Sequence, residues 1–503
     1  MDHLPEALYC AADTREADRR TAANFGLGGG VLMERAGSVA FAVLRERFPR
    51  ARRITVVCGP GNNGGDGYVL ARLARAAGLT VRVSSPGDVG RLQGDAAGAH
   101  ARWVEAGGAV ENLAAESLRE SAVVVDALFG TGLERPLEGA WRQAVEAINA
   151  SGRPVLALDI ASGLHADTGR VLGVAVRADV TLSFIGLKAG LLTGRGREMS
   201  GLILFDDLAI PAAVFDGLAP LARRVTERNL RGLLARRPRH AHKGDFGRVL
   251  IVGGQPGMPG AAQLAGTAAY RAGAGLVTVA THPLHAPMIS AVRPELICQA
   301  VTEDGGLQTL LEAAHAVAIG PGLGQCGWGR ALWQTTMTTR LPLVVDADGL
   351  RLLAAQPQRR DNWILTPHPG EAAALLGVSV AEIENDRFQA ARTIGERYGG
   401  VCVLKGSGSL VARDADPLPW LCDRGNPGLA TGGSGDVLTG AIAALLAQGL
   451  APVDAARLGV WAHASAGDRA AENGERGLLA SDLFAPLRDV LNGLSGDADR
   501  IPH

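Results

Sequence analysis

Two glycine-rich stretches carry residue types able to handle phosphates and polar rings. The first is CGPGNNGGDG, residues 58–67, between an apolar run and a helical pattern. Its glycines let the backbone curl so that N–H groups point inward, and the helix start adds its dipole, which together make an anion site. It is neither a G-x-G-x-x-G nor a Walker loop. A plain turn would also use Asn-Gly and Asp-Gly, but a hairpin has no use for so many such residues before a helix. The second stretch, NPGLATGGSGDVL, residues 426–438, opens a long apolar helix with Asp436 in its first turn. Free N–H groups there stabilise charge building on a transferring phosphoryl group, and Asp436 stands where it could take a hydroxyl proton. The plain reading of Asp436 is an aspartate that stabilises a helix N-terminus.

Other polar residues stand at the ends of apolar runs. Asp126 closes one run, and Asp159 and Ser162 close another. Gly130, Thr131, Gly132 and Leu133 form a further loop after Asp126. In open α/β sheets ligands bind outside the carboxyl ends of the strands, so Asn63, Asp126 and Ser162 are expected to converge there. Such oxygen donors suit a hard cation, although Asp and Ser at strand ends also serve as helix N-caps. Lys188, in FIGLKAGLL, reads either as a proton-handling group or as a solvated loop lysine.

These groups need a scaffold, and the pattern supplies two. Runs at 53–59, 80–85, 122–130 and 154–163, followed by ADVTLSF and GLILFDD, alternate with helical spacing at 30–48, 68–78 and 95–106. That alternation predicts a mostly parallel sheet with helices on both faces, a Rossmann-like three-layer α/β sandwich. Between 210 and 244 the pattern breaks, and RRVTERNLRGLLARRPRHAHKG is basic and reads as strandless. The cut is expected near 219–225, giving domains 1–222 and 223–503. A second α/β series restarts with GRVLIVGG and continues through LVTVAT, AVAIGPGLG, PLVVDADGL, WILTPHPGE and VCVLKGSGSLVA.

Composition bounds the function. The 503 residues hold 50 Lys+Arg against 51 Asp+Glu, so no basic excess points to nucleic acid or a membrane surface. The six cysteines are scattered without a Cys-x-x-Cys pair, which argues against a disulfide framework or a zinc site. Cys58, Cys298 and Cys402 lie in apolar runs and read as buried thiols. No signal-peptide stretch opens the chain, and the apolar helix near 437–446 is too short to span a bilayer, so the cytosol is the expected compartment.

LMERAG, CGPGNNGGDG, VVDALFGTGL and LDIASGL, in this order, resemble the NAD(P)H-hydrate epimerase family over most of residues 1–215. The resemblance implies that Asn62, Asn63, Gly64, Gly65 and Asp66, with Gly130, Thr131, Gly132, Leu133, Glu134, Arg135 and Pro136, hold the hydrated dinucleotide. It also implies potassium at Asn63, Asp126 and Ser162, and substrate contact at Asp159. Ala161 replaces the family's usual proline, and Trp141 falls where a tyrosine contact is usual. Asp159 and then Lys188 are the candidates for moving protons during inversion of the hydrated ring carbon.

HKGDFGRVLIVGG, GPGLG, TPHPGE, KGSGS and TGGSGD resemble the ADP- or ATP-dependent NAD(P)H-hydrate dehydratases of the ribokinase-like superfamily, over about 230–491. That resemblance implies a ribokinase-like α/β fold. It places an adenine nucleotide, ADP with Mg2+, at Lys405, Gly406, Ser407, Gly408, Ser409 and Gly435. It places Ala261, Gly322 or Gly324, His368 and Asp436 against the hydrated dinucleotide, with Asp436 as base. The implied small molecules are hydrated NADH, hydrated NADPH and ADP, and a homo-oligomer is expected. The competing readings are a vitamin-precursor kinase of the same superfamily and a non-catalytic nucleotide sensor in the first domain.

Overall fold

The computed structural model describes residues 4–414 and 416–494. The chain forms two compact units, Met1–Arg223 and Arg224–His503.

The first unit contains β1 (Ala7–Leu8), β2 (Arg53–Cys58), β3 (Thr80–Ser84), β4 (Val110–Glu111), β5 (Val123–Ala127), β6 (Val155–Leu158), β7 (Val180–Phe184) and β8 (Leu202–Asp206). Strands β2–β8 make a parallel sheet in the order β4-β3-β2-β5-β6-β7-β8. The chain runs outward from β2 to β4 and then restarts at β5, so the order reverses between β2 and β5. A ligand crevice belongs at that reversal. Parallel strands covered on both faces read as continuous apolar runs, and β5, β6 and β7 are buried throughout.

The helix expected after the first loop begins earlier, at Asn62, and runs Asn62–Ala76 with Gly61 as N-cap. Half of the glycine-rich stretch is therefore helix, not curled loop. Its glycines serve close packing: a Cβ at Gly64 would lie 2.2 Å from the Gly59 carbonyl oxygen, and one at Gly67 2.7 Å from the Ala127 Cβ.

The basic segment after 210 is not wholly strandless. It opens with β9 (Ala222–Arg224), whose register with β1 is antiparallel, Ala7 opposite Arg223. A short helix, Glu227–Leu230, follows, capped by Thr226. Three residues of strand, two of them arginine, are too few to give a readable alternation.

The second unit contains β10 (Arg248–Val252), β11 (Leu276–Thr281), β12 (Ile297–Ala300), β13 (Ala316–Ile319), β14 (Leu343–Val345), β15 (Trp363–Leu365), β16 (Val401–Leu404), β17 (Ser409–Arg413) and β18 (Asp416–Cys422). Their order is β18-β17-β16-β15-β14-β13-β10-β11-β12. Strands β10–β16 are parallel, and β17 and β18 return antiparallel. Here the order reverses between β10 and β13. The core is rich in alanine, valine and leucine, and the helices Pro259–Arg271 and Ser434–Ala447 supply much of it.

All six cysteines are free thiols. Cys58 and Cys402 are buried as expected, whereas Cys298 is only partly covered, because β12 is an edge strand. Cys422 is buried as well. Among the described residues no helix is long and apolar enough to cross a membrane.

Candidate active sites

The sheet reversal of the first unit opens into a cavity of about 410 Å3. Asn62, Asn63, Asp66, Gly130, Thr131, Gly132, Leu133, Asp159 and Lys188 all line it. Gly64, Gly65, Glu134, Arg135, Pro136 and Trp141 are outside the lining. Trp141 reaches the rim indirectly, packing edge-on against Phe129 at 5.0 Å, and Phe129 lines the cavity. Glu134 is exposed and stands 3.6 Å from Arg15.

Asp159 is the hub. Its backbone is left-handed, with φ 64°, a conformation that costs free energy and persists only where the surroundings impose it. One carboxylate oxygen accepts the Lys188 ammonium, and the other accepts the Thr131 N–H at 3.1 Å. Lys188 is 1% exposed and also donates to Phe184 O at 2.8 Å and Ser183 Oγ at 3.2 Å. It is therefore not a solvated loop lysine. A Cβ at Gly130 would fall 2.7 Å from Asp159 Oδ2 and 3.6 Å from the Asn63 Cβ, so only glycine lets the loop pass between these side chains.

Asp66 and Asp18 add two more carboxyls to the same lining. Burial, then the charges of Asp159 and Asp18, hold the Asp66 carboxyl well above the usual carboxylate range. Burial followed by Asp95 and Asp159 raises Asp18. Asp18 comes from the helix Ala11–Phe25, far from any motif. An alternation of apolar and polar residues in an N-terminal helix gave no signal for it.

Deeper in the unit, Asp126 Oδ1 accepts the Ser162 hydroxyl at 2.7 Å and Leu128 N at 3.2 Å, and Oδ2 accepts Ser162 N at 2.8 Å. Burial lifts the Asp126 carboxyl to about 6, against the pull of these donors. Both side-chain polar atoms of Asn63 are buried without a hydrogen-bond partner. An orphaned amide oxygen and a buried carboxylate without a cation fit a bound monovalent cation. Among the described residues no cluster of three His, Cys, Asp or Glu could hold a transition metal.

In the second unit the turn before helix Ser434–Ala447 puts Gly433 at φ 88° and Asp436 in the first helical turn. Asp436 is raised to about 7, by burial first and then by Asp346, with Lys405 opposing and Glu371 adding. Asp346 ends β14 and is 2% exposed. It accepts Lys405 Nζ at 2.8 Å and Thr439 Oγ1 at 2.8 Å. Lys405 Nζ is also 3.8 Å from Glu371 Oε2. A Cβ at Gly435 would lie 3.4 Å from Lys405 Nζ, which seats the glycine turn directly on this pair. Lys405 is thus held by carboxylates, and a phosphate would meet it as part of that network.

Lys405, Gly406, Ser407 and Gly408 form the hairpin turn between β16 and β17, and Ser409 opens β17. The guanidinium of Arg387, 1% exposed, supports it by donating to Lys405 O at 3.1 Å. His368 caps the helix Pro369–Leu376: its Nδ1 accepts Gly370 N at 3.0 Å, and the Glu371 carboxylate accepts the His368 N–H at 2.8 Å. The ring is half exposed, and its Nε2 stands 3.4 Å from Glu371 Oε1. At the sheet reversal, a Cβ on Gly322 would stand 3.2 Å from the Ala261 Cβ, while Gly324 N donates to Asp348 at 2.9 Å. His463, lowered to about 4 by burial, stands 2.9 Å from Ser434 O and 3.2 Å from Ser434 Oγ at the head of helix Ser434–Ala447.

Asp346, Glu371, Thr439, Arg387 and His463 were not singled out from sequence. Asp346 and Glu371 stand inside quoted runs, VVDADGL and TPHPGE, and a carboxylate at a strand end was the available signal.

Two family models match the chain: NAD(P)H-hydrate dehydratase over residues 249–488 and the YjeF-related protein N-terminus over residues 29–190. The bifunctional NAD(P)H-hydrate repair enzyme Nnr of Coxiella burnetii is 46% identical over 96% of this chain and 99% of its own. The enzyme of the same name from Escherichia coli is 46% identical over 97% of this chain and 95% of its own. A solved structure of the ADP/ATP-dependent NAD(P)H-hydrate dehydratase from Bacillus subtilis, co-crystallised with ATP/Mg2+, is 32% identical over 54% of this chain and 98% of that one, with a TM-score of 0.48. With near-complete coverage of relatives at this identity, the chain belongs to the family of bifunctional NAD(P)H-hydrate repair enzymes.

Proposed function

We propose that the chain repairs hydrated NADH and NADPH in two steps, with the first unit interconverting the R and S epimers and the second dehydrating the S form at the expense of ADP. The observation that carries this reading is Asp436, a carboxyl raised to about 7 at a glycine-opened helix start beside the Lys405–Asp346 pair. A base is most effective when its pKa lies near the working pH.

In the second unit the substrate hydroxyl gives its proton to Asp436 as its oxygen attacks the β-phosphorus of ADP, and AMP leaves. The hydroxyl, a poor leaving group, is now a phosphate ester. The ring nitrogen lone pair expels phosphate, a ring proton is lost, and the dihydronicotinamide is restored. The N–H groups of the turn before Ser434 face the developing negative charge. Mg2+, held mainly by the nucleotide phosphates, supplies charge neutralisation.

In the first unit Asp159 and Lys188 hold and return the proton that epimerisation moves, and Asp66, its carboxyl held well above the usual range by burial, is a further proton-handling group in the same cavity. Asn63, Asp126 and Ser162 would hold potassium, which supplies a fixed positive charge beside the dinucleotide. Because one unit equilibrates the epimers and the other consumes one of them, the fused chain clears both. The substrates are small and soluble, and the cytosol is the compartment that supplies them.

The test is incubation of the full chain with a mixture of hydrated NADH epimers, ADP, Mg2+ and K+, following the dihydronicotinamide absorbance. Recovery of the whole mixture supports both halves, recovery of the S fraction alone removes the epimerase reading, and no recovery removes the dehydratase reading.

A further inference from the structure

The second unit carries a cavity of about 690 Å3, within the usual size of a small-molecule site, that none of the catalytic residues lines. Arg236, Arg237, Arg239, Arg271, Arg293 and Arg488 line it, with Glu295 as the carboxylate among them. The whole chain carries a net charge of only -1, so this is a local concentration of positive charge.

The position is defined by two helix ends. Helix Ser434–Ala447 starts beside Asp436 and ends at Gln448, which lines the cavity. At a rise of about 1.5 Å per residue its two ends are roughly 20 Å apart. Helix Pro259–Arg271 likewise starts near Ala261 and ends at Arg271. The cavity therefore lies at the far ends of the helices whose first turns face the catalytic cleft.

Arginines near helix C-termini ordinarily offset the helix dipole, each terminus counting as about half a negative charge. At the end of helix Pro259–Arg271 that need is already met. Arg237 donates to Gly273 O and stacks on Phe246 at 3.7 Å, and Gln448 Nε2 donates to Ala272 O at 3.0 Å. Arg239, Arg271, Arg293 and Arg488 have no carboxylate partner among the described residues, and the Arg293 Nε is buried without any hydrogen-bond acceptor. Among the described residues, two helix termini and Glu295 carry about two negative charges against these four guanidinium groups, and like charges gathered in one cavity repel. Planar guanidinium forks match phosphate oxygens in pairs, so an anion with several phosphate oxygens relieves both defects at once.

We propose that this cavity is a second anion site, which takes a small molecule bearing two or more linked phosphates. Free polyphosphate and a nucleoside polyphosphate share that chemistry.

The experiment is calorimetric titration of the full chain at low salt with tripolyphosphate, comparing the parent with Arg239→Gln/Arg488→Gln. Both side chains are exposed, so the fold should survive. Loss of charge-assisted phosphate contacts should weaken this binding by roughly tenfold or more. Dehydratase turnover with ADP should stay within about twofold, because neither residue touches the catalytic network. Indistinguishable tripolyphosphate isotherms for parent and variant would overturn the proposal. A parallel titration with ADP separates the sources. Two ADP sites in the parent and one in the variant assign a nucleoside polyphosphate, and one site in both, with tripolyphosphate binding still lost in the variant, assigns free polyphosphate.

Discussion

Each unit buries a lysine against an aspartate and sets a further carboxyl beside that pair, but the two arrangements poise that carboxyl differently. In the first, Lys188 is locked to Asp159, Asp66 and Asp18 face the same cavity, and burial, then the charges of Asp159 and Asp18, hold the Asp66 carboxyl well above the usual carboxylate range. In the second, Lys405 lies between Asp346 and Glu371, and Asp436 is raised only to about 7. An acid held well above the usual carboxylate range suits proton return within an enclosed site. An acid balanced near neutrality suits removal of a hydroxyl proton. Beside the same ion-pair device the two carboxyls are both raised, first by burial and then by neighbouring carboxylates, with the lysine opposing, and they settle at different poise.

The sharpest break between the two is Asp436→Asn. It keeps shape but cannot accept the proton, so dehydration should fall by about 10²–10⁴. Epimerisation should be unchanged and nucleotide affinity nearly so, leaving an equilibrated mixture of unrepaired epimers. Dehydration within a few-fold of the parent rate would send the search for the base elsewhere.

Next in size is the independence of the second unit. Arg224 and Asp423 form a buried pair at 2.7 Å, 2% and 1% exposed, and Val225 belongs to the same unit's core. A fragment of residues 224–503 should fold and repair the S epimer. A fragment of residues 230–503 leaves Asp423 buried without Arg224 and should lose about 3–5 kcal/mol in chemical denaturation. Equal stability of the two fragments would show that the pair contributes nothing.

Asp126→Ala should act on the first unit alone. Potassium activation of epimerisation should require roughly tenfold more of the ion or more, with dehydration intact. In the parent, activation should also fade as pH drops through about 6, because the protonated Asp126 carboxyl no longer attracts a cation. Identical potassium titrations for variant and parent would remove the ion from this site.

The smallest effect expected is a shift in a pH profile. Dehydration kcat/KM should fall as pH drops through about 7, where Asp436 takes up its proton. Asp346→Asn removes a negative neighbour and frees Lys405, both of which favour the ionised Asp436. The acid limb should therefore move down by about one pH unit or more. A limb that stays in place would assign it to another group.

Much of the scaffold was legible beforehand. The runs 53–59 and 80–85 became β2 and β3 almost to the residue, and the glycine turn before Asp436 opens the helix that its spacing implied. Parallel strands buried on both faces write themselves as unbroken apolar runs, and a helix start needs only local chemistry. The bounds of Asn62–Ala76 were less legible, because glycines that serve tight helix packing look the same in sequence as glycines that serve a loop.

Amino-acid order alone determined which residues stand at strand ends: Asp126, Asp159 and Asp346 follow apolar runs whatever the strands' neighbours are. Tertiary structure decided what those carboxylates meet. Lys188 reaches Asp159 across 29 positions, Lys405 reaches Asp346 across 59, and Thr439 reaches Asp346 across 93. Such pairings depend on the order of strands in the sheet, which local periodicity does not encode. The upward shift of the Asp66 carboxyl and the poise of Asp436 follow from the same cause, since burial and neighbouring charge exist only once distant segments have packed together.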